Sequence, residues 1–179
     1  ILGLMHPIKY GKKQKVEGEI YFKFNDAGHM LGSSIIELWV RENPKPASGL
    51  GRVKKIVFSG DLGNSPTPLL KPITKIEEAD YILVESTYGN KIHENREKRK
   101  EIFENIIEET YSKKGVLMIP AFAVERTQEL LSELNELVEN SRIPKVPIFI
   151  DSPLAVKATR IYEKYPEYFN KQAQEQIKN

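Results

Sequence analysis

Ala27-Gly28-His29-Met30-Leu31-Gly32-Ser33 and the later Ser59-Gly60-Asp61-Leu62-Gly63 are the stretches that decide how this chain reads. Each sets one potential metal ligand where an apolar, strand-like run ends in glycine. Glycine there lets the backbone turn sharply and come close to an ion or substrate, and imidazole and carboxylate are good ligands for a borderline cation such as zinc. His29 and Asp61 alone are too few to hold one. Each also has a plainer reading from local sequence: the histidine hydrogen-bonds backbone beside its glycines, and Asp61 bonds its own turn.

Working outward, residues 19–24 alternate apolar and polar, and residues 34–40 carry Ile35, Ile36, Leu38, Trp39 and Val40. Both patterns predict strands. A Pro/Gly/Ser-rich stretch over 41–55 reads as a long hairpin connection, and a strand resumes at 53–58. Pro66, Pro68 and Pro72 exclude a long regular element over 64–80, and Tyr81 to Val84 reads as a short buried strand. Glu85 closes that run, so three strands in succession deliver a polar residue at or just past their ends. Sites on layered α/β proteins gather where loops leave one sheet edge, so His29, Asp61 and Glu85 could converge there. Glu85 as a cap of the turn that follows is the structural alternative.

After Tyr88-Gly89-Asn90 the chain changes character. Ile102, Phe103, Ile106, Ile107 and Tyr111 recur at helical spacing, a strand is predicted over 115–120, and Leu130, Leu131, Leu134, Leu137 and Val138 mark a second helix. A strand over 146–150 and a helix from Pro153 to Tyr165 follow; the tail from Asn170 to Asn179 is polar, and its final residues are expected to fray. The alternation predicts an α/β fold with a composition shift near 85–90. The mixed charge of residues 95–101 reads as a solvated helix face, not an RNA-binding patch.

Composition narrows the classes. A chain of 179 residues with 40% hydrophobic content buries a real core, and a formal charge of +2 gives no bulk attraction to nucleic acid. There is no cysteine, so disulfide frameworks and thiolate metal sites are excluded and a reducing cytoplasm is the default compartment. No apolar run approaches the length of a membrane span.

Three motifs, Asp26-Ala27-Gly28-His29-Met30-Leu31-Gly32-Ser33, Phe58-Ser59-Gly60-Asp61-Leu62-Gly63 and Val84-Glu85-Ser86-Thr87-Tyr88-Gly89, resemble in order and spacing successive motifs of the metallo-β-lactamase-fold nucleases of the β-CASP group. Residues 120–129, containing Glu125-Arg126, and Ile150-Asp151-Ser152-Pro153-Leu154-Ala155 resemble two segments of that group's inserted domain. The resemblance covers nearly the whole chain. It implies that residues 1–85 are the latter part of an αββα metallo-β-lactamase fold and residues 86–179 the first part of a β-CASP α/β domain. The implied activity is zinc-dependent hydrolysis of phosphodiester bonds in RNA, or DNA for some members, in the cytoplasm. His29 would be a zinc ligand and Asp61 would bridge two zinc ions. Glu85, also in the catalytic set, would support a histidine beside them. Arg126 and Ser152 border the implied cleft, where they either meet substrate phosphate or serve structural pairing.

The departures are equally specific. The family's His-x-His-x-Asp-His cluster and its late histidines are absent, and only His6, His29 and His93 occur. His6 and His93 match no ligand position. Glu125 stands where many relatives carry glycine. The chain therefore reads as an internal portion of a longer nuclease, inactive by itself. A noncatalytic scaffold or nucleic-acid-binding subunit on the same fold is the alternative, and a small-molecule hydrolase is disfavoured by the second half. An open sheet edge would also invite a homo-oligomer.

Overall fold

In the computed structural model, which describes residues 2–42, 51–64, 66–92 and 98–178, the chain forms two compact units. The first comprises residues 1–67 and 71–87, the second residues 68–70 and 88–179. The middle of the predicted 41–55 connection, His93 and part of the charged 95–101 stretch lie outside the described residues.

The first unit is one five-stranded sheet in chain order, β1 (Gln14–Lys15), β2 (Ile20–Asp26), β3 (Ser34–Arg41), β4 (Val53–Phe58) and β5 (Tyr81–Leu83). Strands β1 to β4 pair antiparallel and β5 lies parallel to β4. Period-two alternation sends Phe22 and Phe24 to one face, their rings edge-on at 5.0 Å, and Tyr21, Lys23 and Asn25 to the other. On that second face Ala27, Ile35 and Val57 are buried beneath Leu62, Ile73 and Ile76, which the proline-rich 59–80 segment folds over them. The expected αββα layering has no α-helix in this unit among the described residues, so what the first unit shows is a single mixed sheet.

In the second unit α1 (Arg99–Ser112) and α2 (Arg126–Glu139) pack through Ile107, Leu134, Leu137 and Ile143 with Phe103 and Val138. Three ion pairs tie this layer together: Arg99 to Glu133, Lys100 to Glu136, and Arg142 bidentate to Glu104. Ser152 caps α3 (Pro153–Tyr162), with proline in its first turn. A strap, Pro68 to Leu70, docks on the end of the unit, where Leu70 bridges Phe169 and the Asn170 N–H donates to Leu69 O at 2.8 Å.

Three strand expectations need correction. Strand β5 is not buried: Tyr81, Ile82 and Leu83 are 54–63% exposed, because β5 is an edge with only β4 beside it. Residues 115–120 and 146–150 form no ladder. A strand needs a neighbour, and among the described residues the amides of 116–119 and 148–150 find no acceptor. These segments instead line an open apolar trough with Leu130, Leu131 and Leu134. The polar tail, for which the sequence pattern predicts no element, is helical over α4 (Lys171–Lys178). Asn170 Oδ1 accepts the Ala173 N–H at 2.8 Å and Ala173 is buried, and this cap and anchor outweigh the polar composition.

Candidate active site at the sheet edge

Strand direction brings the key loops together. Because β2 and β4 both run antiparallel to β3, and β5 runs parallel to β4, the C-terminal ends of β2, β4 and β5 share one edge of the sheet. His29, Asp61 and Glu85 follow those three ends.

The His29 loop is shaped by its own side chains. Asp26 Oδ1 accepts the Gly28 N–H at 2.8 Å, and Ser33 Oγ accepts the N–H groups of His29 and Met30 at 3.1 and 3.2 Å. Burial pushes the Asp26 carboxyl above its usual range, while the Gly28 N–H and the Lys71 charge pull the other way. Asp26 and Ser33 flank the motif, and their local bonding pattern is the sequence signal for this turn.

The Asp61 loop crosses the His29 loop at a pair of glycines. The Gly63 N–H donates to Ala27 O at 2.9 Å, and a Cβ on Gly63 would stand 1.7 Å from Gly28 O. Gly28 itself takes φ 62°, with its Cα facing the backbone of Lys71 and Ile73. Glycine at 63 lets the two loops touch, while glycine at 28 suits the positive φ and the close backbone of residues 71–73.

Glu85 joins the third loop to the second. Its Oε1 accepts the Leu62 N–H at 2.6 Å, and its own N–H donates to the Ser59 hydroxyl at 3.0 Å. The Leu62 N–H holds the Glu85 carboxyl below its usual range; partial burial opposes this, and Thr87 and the nearby His29 charge add to it. Glu85 is thus an anion that fixes the residue next to Asp61, within reach of the His29 charge. Asp61 is exposed, with no hydrogen-bond or ion-pair partner among the described residues. His6 is exposed as well.

Imidazole and carboxylate are donor types that suit zinc. Among the described residues, however, no group of three or more His, Cys, Asp or Glu side chains could hold a metal ion, so this set does not by itself complete a zinc site.

In the second unit, Arg126 opens α2 and pairs with Glu129 at 2.7 Å, its side chain 54% exposed. Ser152 Oγ accepts the Ala155 N–H at 3.2 Å as the α3 cap. Glu125 precedes Arg126 at φ 70°, ψ −67°, backbone that favours glycine. Tyr162 Oη donates to Glu125 Oε2 at 2.7 Å. Burial pushes the Glu125 carboxyl up to about 7, with the Glu129 charge adding to it and the Tyr162 bond opposing.

The Beta-Casp domain family matches residues 127–179. Over 97% of its length the chain is 36% identical to Ribonuclease TTHA0252 of Thermus thermophilus. It is 32% identical over 96% of its length to an RNase J-like protein of Methanocaldococcus jannaschii, and 34% over 95% to the transcription termination factor FttA of Thermococcus kodakarensis. The chain spans 37%, 39% and 25% of those relatives, respectively. The Beta-Casp match over residues 127–179, the near full-length similarity of this chain to those proteins, and the three glycine-framed motifs at one sheet edge agree: the chain is similar to a part of the β-CASP proteins.

Proposed function

We propose that this chain is part of a zinc-dependent hydrolase that cleaves phosphodiester bonds in RNA, its sheet being one layer of a metallo-β-lactamase αββα sandwich. The observation that carries the reading is the convergence of the His29, Asp61 and Glu85 loops at the shared ends of β2, β4 and β5, bound through Leu62 and Glu85. In this reading His29 and Asp61 would hold zinc together with ligands from outside residues 1–179, and the metal would supply an activated water for phosphodiester hydrolysis. Glu85 is a positioning residue: it holds the Asp61 loop and orients the His29 imidazole. Arg126 and Ser152 contact substrate phosphate, the guanidinium held ready by Glu129 and the hydroxyl by the α3 N-terminus. The similarity to a ribonuclease and to an RNase J-like protein supports RNA as the substrate.

The test is RNA cleavage by the protein as the cell makes it. Asp61→Asn abolishes turnover, and Glu85→Gln lowers it about 10- to 100-fold with weakened zinc retention. Cleavage unchanged in Asp61→Asn would sink the assignment. The absence of a three-ligand cluster among the described residues favours a second reading, a noncatalytic nucleic-acid-binding subunit. A zinc-free protein that binds RNA without cleaving it would establish that reading.

A further inference from the structure

One end of the sheet, away from His29, Asp61 and Glu85, carries a cluster that the proposed hydrolysis does not use. Tyr21, Trp39 and Lys55 are register partners across β2, β3 and β4, so their side chains stand in one row on one face. Lys23 and Glu37 form the next row. Lys13, just before β1, reaches over both rings, its Nζ 4.0 Å from the Trp39 centroid and 5.3 Å from that of Tyr21. Lys23 and Lys55 approach the same indole at 5.7 and 5.6 Å.

Beneath them lies Glu37, 2% exposed. It accepts from Lys23 at 2.5 Å, from Lys55, and from Asn25 Nδ2 at 2.7 Å. Burial opposes its charge, yet the three donors hold the carboxyl at about 2, so it stays anionic and anchors both ammoniums. The site end of this face is covered by Leu62, Ile73 and Ile76; at the other end Lys13 lies in solvent. Two cations thus share a single carboxylate beside two aromatic rings, and a third lies over the rings themselves. Lysines that served only to cover the indole would need no buried anion to hold them in place.

Aromatic rings on a sheet surface, bordered by cations, are the combination that single-stranded nucleic acid takes: ammoniums meet phosphates, and rings accept bases whatever their sequence. The geometry points to this Tyr21–Trp39 row, with Lys13, Lys23 and Lys55, as a contact for single-stranded RNA separate from the His29–Asp61–Glu85 edge. From Trp39 to Ser34 along β3 is about 17 Å, so a strand engaged here lies several nucleotides from that edge. The inference rests on RNA as the substrate but not on cleavage.

Trp39 is the chain's single tryptophan and reports the site directly. The experiment titrates residues 1–179 with oligouridylate across a salt series, reading Trp39 fluorescence. The expected result is a saturable change whose midpoint weakens with salt, and in Lys13→Ala a weaker midpoint and a log–log salt slope shallower by about 0.7. Lys13 is exposed and outside the core, so that variant folds; Lys13→Arg restores most of the affinity. No saturable change, or the same affinity and slope in Lys13→Ala, would overturn the inference. Asp61→Asn separates the two proposals. Its binding at Trp39 is unchanged even where cleavage is lost, and failure of the cleavage reading leaves this titration intact.

Discussion

Replacing Gly63 by alanine tests whether the glycine crossing really builds the candidate site. The new Cβ would lie 1.7 Å from Gly28 O, 2.2 Å from Gly28 C and 2.8 Å from the His29 nitrogen. All are backbone atoms, so no side chain can swing aside. Restoring ordinary contact requires the two loops to part by about 1.7 Å. That breaks the Gly63 N–H to Ala27 O bond, worth about 1 kcal/mol net, and adds overpacking of about 1–3 kcal/mol. A loss of about 3 kcal/mol in a unit this small lowers its melting point by roughly 12 °C or more. The assay is built into the chain. Trp39 lies in the first unit, while α1 to α4 lie in the second, so fluorescence and far-ultraviolet circular dichroism follow the two units separately. Gly63→Ala should move the fluorescence transition and leave the helical one in place. A fluorescence midpoint within about 2 °C of the wild type would refute the crossing, and with it the contact between the Asp61 and His29 loops.

Three further outcomes follow from the same structure. Glu37 has a folded-state pKa of about 2 against an unfolded value of 4.5, so its contribution is present above that value and is lost as the pH falls from about 4.5 to about 2. Acid titration of Trp39 fluorescence should show this loss, worth about 3 kcal/mol, and Glu37→Gln should remove it. Glu125 has the opposite sign: with its folded pKa raised to about 7, its contribution is present below 4.5 and lost as the pH rises through about 7. The helical transition should therefore melt lower at pH 8 than at pH 5, and Glu125→Gln should flatten that difference. Finally, the open, apolar edge of β5 should make the chain self-associate with concentration, and Ile82→Lys should suppress this in light scattering.

What could be read in advance followed the reach of each signal. Strands β2, β3 and β4 were legible because alternation and β-branched residues are local patterns, and β4 appears at the predicted residues 53–58. That the loops carrying His29, Asp61 and Glu85 leave one end of the sheet was legible because strand ends are where such loops meet. Pairing is not local. Residues 115–120 and 146–150 have strand composition but no ladder, and β5 has the apolar content of a buried strand while lying at an edge. The Gly63–Gly28 contact and the Lys13–Trp39–Glu37 cluster depend on cross-strand register, which no single segment encodes. The family motifs carried information about Glu125 that periodicity did not. The resemblance marks position 125 as one where many relatives carry glycine, and here the backbone sits at φ 70° with a half-buried carboxyl on it.

The measurement that tests the central claim most directly is zinc per polypeptide, by elemental analysis, in the protein as the cell makes it, with RNA hydrolysis assayed on the same samples. The account predicts two zinc ions and cleavage in the wild type, and loss of both in His29→Ala and Asp61→Asn. Full zinc and full cleavage in those variants would contradict it.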